Sequence, residues 1–93
     1  MRVKEECKLE RIDSHFVITR RKAEGKYSIL FALNETGAFL WNELIKGLAE
    51  EELVKALCTE YEALPEEEDQ MREDVAEFLS QLRTMNVLEE TGE

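Results

Sequence analysis

At Leu33 the apolar repeat of this chain changes period. Upstream, "HFVITRRK" (residues 15 to 22) and "YSILFAL" (27 to 33) mix β-branched and aromatic residues. In the second run Tyr27, Ile29, Phe31 and Leu33 alternate with their neighbours, as one face of a strand does. Downstream, Ala38, Trp41, Leu44, Ile45 and Leu48 recur at the spacing of a helical stripe. A two-residue repeat followed by a helical one requires strands first and helices after, with one layer packed on the other.

The punctuation agrees. Asn34 stands at an N-cap, where its side-chain oxygen can accept from an orphan N–H, and Glu35 suits the positive end of a helix dipole. Gly47 marks the end of that helix. Leu53, Val54, Leu57, Cys58 and Tyr61 form a second stripe behind the acids of "AEEEL". Pro65 opens a third helix, with acids following it, and its stripe is Met71, Val75, Phe78, Leu79 and Leu82. Asn86 can take the left-handed conformation that ends a helix. Between the two β-runs, "AEGK" offers Gly25 for a positive φ, which makes them a hairpin. "CKLERI" (7 to 12) is a weaker strand, turned into the hairpin by "DSH". The expected order is strands within 7 to 33, then helices at 34 to 47, 50 to 62 and 66 to 85, with a loose "EETGE" tail.

Ninety-three residues at 43% apolar composition support one modest core in one domain. No apolar run is long enough to span a membrane, and "MRVKEECKLER" lacks the apolar region of a signal peptide. These features point to the cytoplasm and to no membrane partner. Cys7 and Cys58 lie far apart without a CxxC or a second histidine, so they read as structural thiols with no metal site. His15 is the only histidine, and it has no nucleophile or carboxylate motif beside it. The glycines form no phosphate-binding loop. The acidic runs lack the alternating ligands of a calcium loop and suit helix first turns instead. The sequence therefore implies neither a cofactor nor an enzyme.

The net charge of −10 is unevenly distributed. Residues 1 to 26 hold eight Lys/Arg against five Asp/Glu; residues 27 to 93 hold four against seventeen. Three helices with a small sheet suggest a winged helix, a shape that often places its third helix in the DNA major groove. Here that helix has many acids and only Arg72 and Arg83 as cations. Phosphates would be repelled where they should be gripped, so the shape is expected without nucleic-acid binding.

Three separated segments, "LNETGAFLWNEL", "EEELVKALCTEYE" and "EDVAEFLSQLRTMNVLE", resemble the PqqD-like family in order and spacing. Its members include the peptide-binding modules called RiPP recognition elements, peptide chaperones in natural product biosynthesis. The resemblance covers residues 30 to 89, roughly. The chain departs from the pattern in its first 26 residues, at Asn86 in place of a glycine, and at Ala49 in place of a Ser or Thr cap.

The resemblance implies an α+β fold: a winged helix-turn-helix with an N-terminal antiparallel sheet of two or three strands, then three helices. It also implies binding of the leader of a ribosomally made precursor peptide. That leader is presented to a modifying enzyme, often a radical SAM enzyme. The leader would add as a strand beside residues 27 to 33 and pack on the third helix. Candidate contacts are Tyr27, Ser28, Ile29, Leu30 and Phe31 on the strand. On the helix they are Met71, Asp74, Val75, Phe78, Gln81 and Leu82. A purely structural role as core competes for Val75, Leu79 and Leu82. Asn34 as cap and Trp41 as core anchor would support the site. The alternative is a winged-helix interaction or regulatory protein with no leader-peptide ligand.

The charge distribution generates the first prediction. Duplex DNA should show no useful affinity at physiological salt. Sub-micromolar binding with a steep salt slope in a titration would overturn it.

Overall fold

From the N-terminus the chain runs through β1 (Arg2–Val3), β2 (Cys7–Ile12), β3 (His15–Arg21) and β4 (Tyr27–Leu33). It continues through α1 (Glu35–Leu44), α2 (Glu50–Glu60), α3 (Glu68–Thr84) and β5 (Leu88–Glu89). This computed structural model describes residues 1–89. Most of the expected tail, residues 90–93, lies outside the described residues.

β2, β3 and β4 form an antiparallel sheet in that order. Asp13, at a φ of 57°, turns β2 into β3. The turn into β4 uses left-handed backbone at Glu24 and Gly25. Cross-strand partners share a face of a sheet, so burial identifies the two sides. Cys7, Ile18 and Phe31 face the helices, with Ile18 fully buried. Lys8, Tyr27 and Ile29 face outward, and Lys8 sits 5.7 Å from the centre of the Tyr27 ring.

One expectation for β4 fails. Ile18 pairs with Phe31 and Thr19 with Ile29, so Leu30 is an extra residue. This bulge inverts the alternation. Tyr27 and Ile29 point outward, 55% and 63% exposed, while Leu30, Phe31 and Leu33 pack toward the core. The four residues expected on one face are therefore divided between two.

The helices close over the inner face. Leu40, Trp41 and Leu44 from α1 meet Leu53, Val54 and Leu57 from α2 and Val75, Phe78, Leu79 and Leu82 from α3. Trp41 is 2% exposed, as its place in the stripe requires. Two other stripe residues leave the core. Ile45 and Tyr61 are exposed because each is the residue at which its helix stops and the chain turns away. Gly47 (φ 98°) and Glu62 (φ 49°) supply the left-handed backbone of those turns.

The helix ends follow their caps. The Asn34 side chain accepts from the Gly37 N–H at 2.8 Å. Ala49 has no acceptor to offer α2, but the Glu52 carboxylate accepts from the Ala49 N–H at 2.7 Å, one half of a capping box. Pro65–Glu67 form a 3₁₀ turn, so α3 begins two residues later than the expected 66. Arg72 on α3 bonds both Glu51 of α2 and Glu68 of its own helix. The pull of Glu51 raises its pKa above the ordinary guanidinium value. Asn86 is left-handed, with φ at 60°.

Beyond Asn86 the chain makes a clasp that the sequence pattern does not announce. β5 pairs antiparallel with β1, Arg2 to Glu89 and Val3 to Leu88. Val87 and Leu88 are buried. Arg20 of β3 donates to the carbonyls of Asn86 at 2.6 Å and Met85 at 3.3 Å. It thereby places a cation on the negative end of α3.

Trp41→Ala should unfold or badly loosen the domain. Removing a buried large aromatic costs roughly 3 to 5 kcal/mol, and a small domain has about 5 to 10 kcal/mol in total. Thermal unfolding checks this; an unchanged midpoint would contradict the packing described.

Candidate functional site

Both outer strands of the three-stranded sheet have a side on which, among the described residues, no strand pairs. They are not equivalent. β2, "CKLERI", carries Lys8, Glu10 and Arg11, and charge of this kind discourages pairing at an edge. β4, "YSILFAL", carries no charge at all. An uncharged edge is open to an incoming strand, whose N–H and C=O groups would meet those of β4.

The end of β4 also borders a cavity of about 280 Å³. Ala32, Leu33 and Asn34 line it from the strand and its exit. Thr36, Gly37 and Leu40 line it from α1, and Asp74, Glu77, Phe78 and Gln81 from α3. The volume suits one or two side chains rather than a large cofactor. Phe78 is 5% exposed, so it is a core residue that shows the cavity only a sliver of its ring. Gln70 donates to Asp74 at 3.0 Å. Thr36 and Tyr61 share a hydroxyl–hydroxyl bond of 3.2 Å.

Gly37, which lines the cavity, lets α1 approach the strand closely. A Cβ there would lie 2.9 Å from Leu33 Cδ2, 3.2 Å from Leu33 Cβ and 3.3 Å from Asn34 Oδ1. The first turn of α1 thus sits directly on the end of β4.

A second cavity, of about 620 Å³, adjoins on the other side of Leu33 and Asn34. Arg11, Ser14, His15 and Phe16 line it from the β2–β3 turn, with Glu35 and Ala38 from α1. His15 is exposed here, at the sheet surface. Among the described residues no group of three or more His, Cys, Asp or Glu is placed to hold a metal ion. Both cysteines are free, Cys7 buried and Cys58 half-buried. Among the described residues no helix is long and apolar enough to cross a membrane.

The structure gathers some of the sequence candidates and separates others. Asp74, Phe78 and Gln81 line one cavity beside the end of β4. Ser28, Leu30 and Phe31 are half-buried along the strand, whereas Tyr27 and Ile29 lie on the outer face. Met71 is half-buried against the core. Val75 and Leu82 have no exposed surface, so they back the groove from within the core and do not face it. The sequence reading placed Ala32 and Leu33 in the receiving strand without naming them as contacts, and it missed Thr36, Gly37, Leu40 and Glu77. Glu77 was legible: it lies one turn beyond Asp74, on the same side of the helix. The strand and α1 residues depend on how closely the two elements approach, which spacing does not encode.

Fold and groove together define a winged helix-turn-helix module with an open, uncharged sheet edge. The chain belongs to the PqqD family: the family model for coenzyme PQQ synthesis protein D (PqqD) matches residues 17–88. The structure of TbiB1 in complex with the TbiA(beta) leader peptide is 27% identical, with 100% of both chains aligned and a TM-score of 0.73. A lasso peptide synthetase B1 complexed with the leader peptide is 23% identical over 89% of each chain, with a TM-score of 0.66. At that identity the second likeness is one of fold. No curated protein matches the chain.

The fit at Gly37 yields a prediction. A glycine-to-alanine change in a helix ordinarily gains about 1 kcal/mol. At Gly37 the added methyl meets Leu33 and the Asn34 cap, so Gly37→Ala should lower the thermal midpoint. A rise would show that Leu33 swings aside without cost.

Proposed function

We propose that this protein is a binding module for the leader of a ribosomally synthesised precursor peptide, which it presents to a separate modifying enzyme. The observation that carries this reading is the uncharged edge of β4 ending against a cavity on α3. A peptide adding as a strand satisfies the open N–H and C=O groups whatever its sequence. Its alternate side chains then turn toward α3, where the cavity admits one or two of them. The rest of β4, including Tyr27, Ser28, Ile29, Leu30 and Phe31, supplies main-chain pairing. Asp74 and Gln81 supply side-chain recognition, with only the rim of the Phe78 ring beside them. Met71 extends the apolar surface, while Val75, Leu82 and Trp41 hold α3 and α1 in place behind it.

Membership of the PqqD family supports this reading, as does the likeness to TbiB1, solved with a leader peptide bound. The protein binds and does not catalyse; the chemistry belongs to the partner enzyme, with radical SAM enzymes the class that the family resemblance favours. The free thiols of Cys7 and Cys58 fit a reducing compartment such as the cytoplasm.

Amide hydrogen exchange with and without a synthetic leader tests the proposal. New protection is expected along residues 27 to 33 and across 71 to 85. Protection confined to α2 would overturn it.

A further inference from the structure

The cavity at the end of β4 has a chemical bias that strand pairing alone does not require. Asp74 and Glu77 line it, and none of the residues lining it is a Lys or Arg. Exposed Ala32 and half-buried Leu33 line it beside the two carboxylates, while Leu40 and Phe78 are almost wholly buried behind them. Asp74 is half-buried, and Gln70, a neutral group, bonds one of its oxygens. Glu77 is exposed and makes no ion pair among the described residues. The nearby cation of α3, Arg72, is committed to Glu51 and Glu68.

Carboxylates without an ion pair, set beside the apolar surface of Ala32 and Leu33, match the anatomy of a lysine or arginine side chain. Its alkyl stem covers apolar surface while its charged head stays near water and an anion. We propose that this cavity selects leader segments carrying a Lys or Arg at the one position seated between β4 and α3. The proposal rests on the leader-binding reading and names the chemistry that reading leaves open.

The adjoining cavity sharpens the expectation. Arg11 and His15 line it together with Glu35, so it has no comparable preference for a cation. The selection should therefore be local to one peptide position. A mere attraction of basic peptides by the acidic helices would act over many positions and be screened by salt.

Selection from a display library of random twelve-residue peptides on the full-length protein tests this. Enriched peptides should share a Lys or Arg at a single position of an otherwise β-prone, apolar-alternating pattern. In fluorescence anisotropy, replacing that residue by Gln in the synthetic peptide should weaken binding about fivefold or more. On Glu77→Lys protein the same replacement should no longer weaken binding. Glu77 is exposed, so this variant should fold. Enriched peptides with no cation at a fixed position would overturn the selectivity while leaving strand addition in place. A cation preference spread over all positions would overturn it too, by assigning the effect to the global field. Failure to enrich any peptide would overturn the leader-binding reading itself, and the selectivity with it.

Discussion

The contact between the first turn of α1 and the end of β4 is the constraint on which the rest depends. Asn34 follows the end of the strand, caps the helix through its bond to the Gly37 N–H, and is the single residue between the two elements. Gly37 then lets the helix settle on Leu33 at a distance that a Cβ would forbid. From this seat, Trp41 and Leu44 descend into the core and meet α2 and α3. The same seat leaves the cavity between Leu33, Leu40 and Phe78. A single junction thus sets both the packing of the helical layer and the shape of the site. Glycine in a helix normally weakens it; here it is exchanged for proximity.

Much of this was legible from local pattern. The change of period at Leu33, the Asn34 cap, the buried Trp41 and the left-handed Asn86 each follow from a residue and its near neighbours. What was not legible is non-local. The bulge at Leu30 has no marker in "YSILFAL", because a seven-residue alternating run reads as a regular strand. The clasp of β1 on β5 joins opposite ends of the chain through two residues on each side, too short for a period to show. Ile45 and Tyr61 fit their stripes but fall where the helices end, and a boundary error of one residue decides whether a side chain is core or surface. For the site, Asp74 and Phe78 came with the family pattern and Gln81 with its helical spacing from Phe78, whereas Thr36 and Gly37 join them only through the junction.

The two outer strands of the sheet show how charge is divided between stability and use. β2 carries alternating charges, and Lys8 and Glu10 pair at 3.3 Å along its exposed side. Such an edge resists added strands. β4 has no charge, so nothing in its own sequence opposes pairing. Its bulge provides a partial substitute, since an extra residue at Leu30 interrupts the register that another flat strand would need. A ligand that pairs on both sides of Leu30 must accommodate that interruption. The edge is consequently open to a partner but a poor template for indefinite stacking.

Arg20 connects that edge to the far end of the groove. It sits in β3 opposite Ser28 of β4, and its guanidinium bonds the carbonyls that end α3. The strand flanking the receiving edge and the helix lining the cavity are therefore tied at the end of α3, while the Asn34–Gly37 junction ties β4 to α1 beside the cavity. The β1–β5 clasp holds the same end of α3 through the Lys4 N–H, which donates to Val87 at 2.9 Å. A groove fixed at both ends spends little of a ligand's binding free energy on its own ordering. Affinity then depends on how well the peptide fits and how much of its own freedom it loses. For a flexible peptide that loss is large, so the position-specific contact proposed at Asp74 and Glu77 would decide more than its modest strength alone suggests.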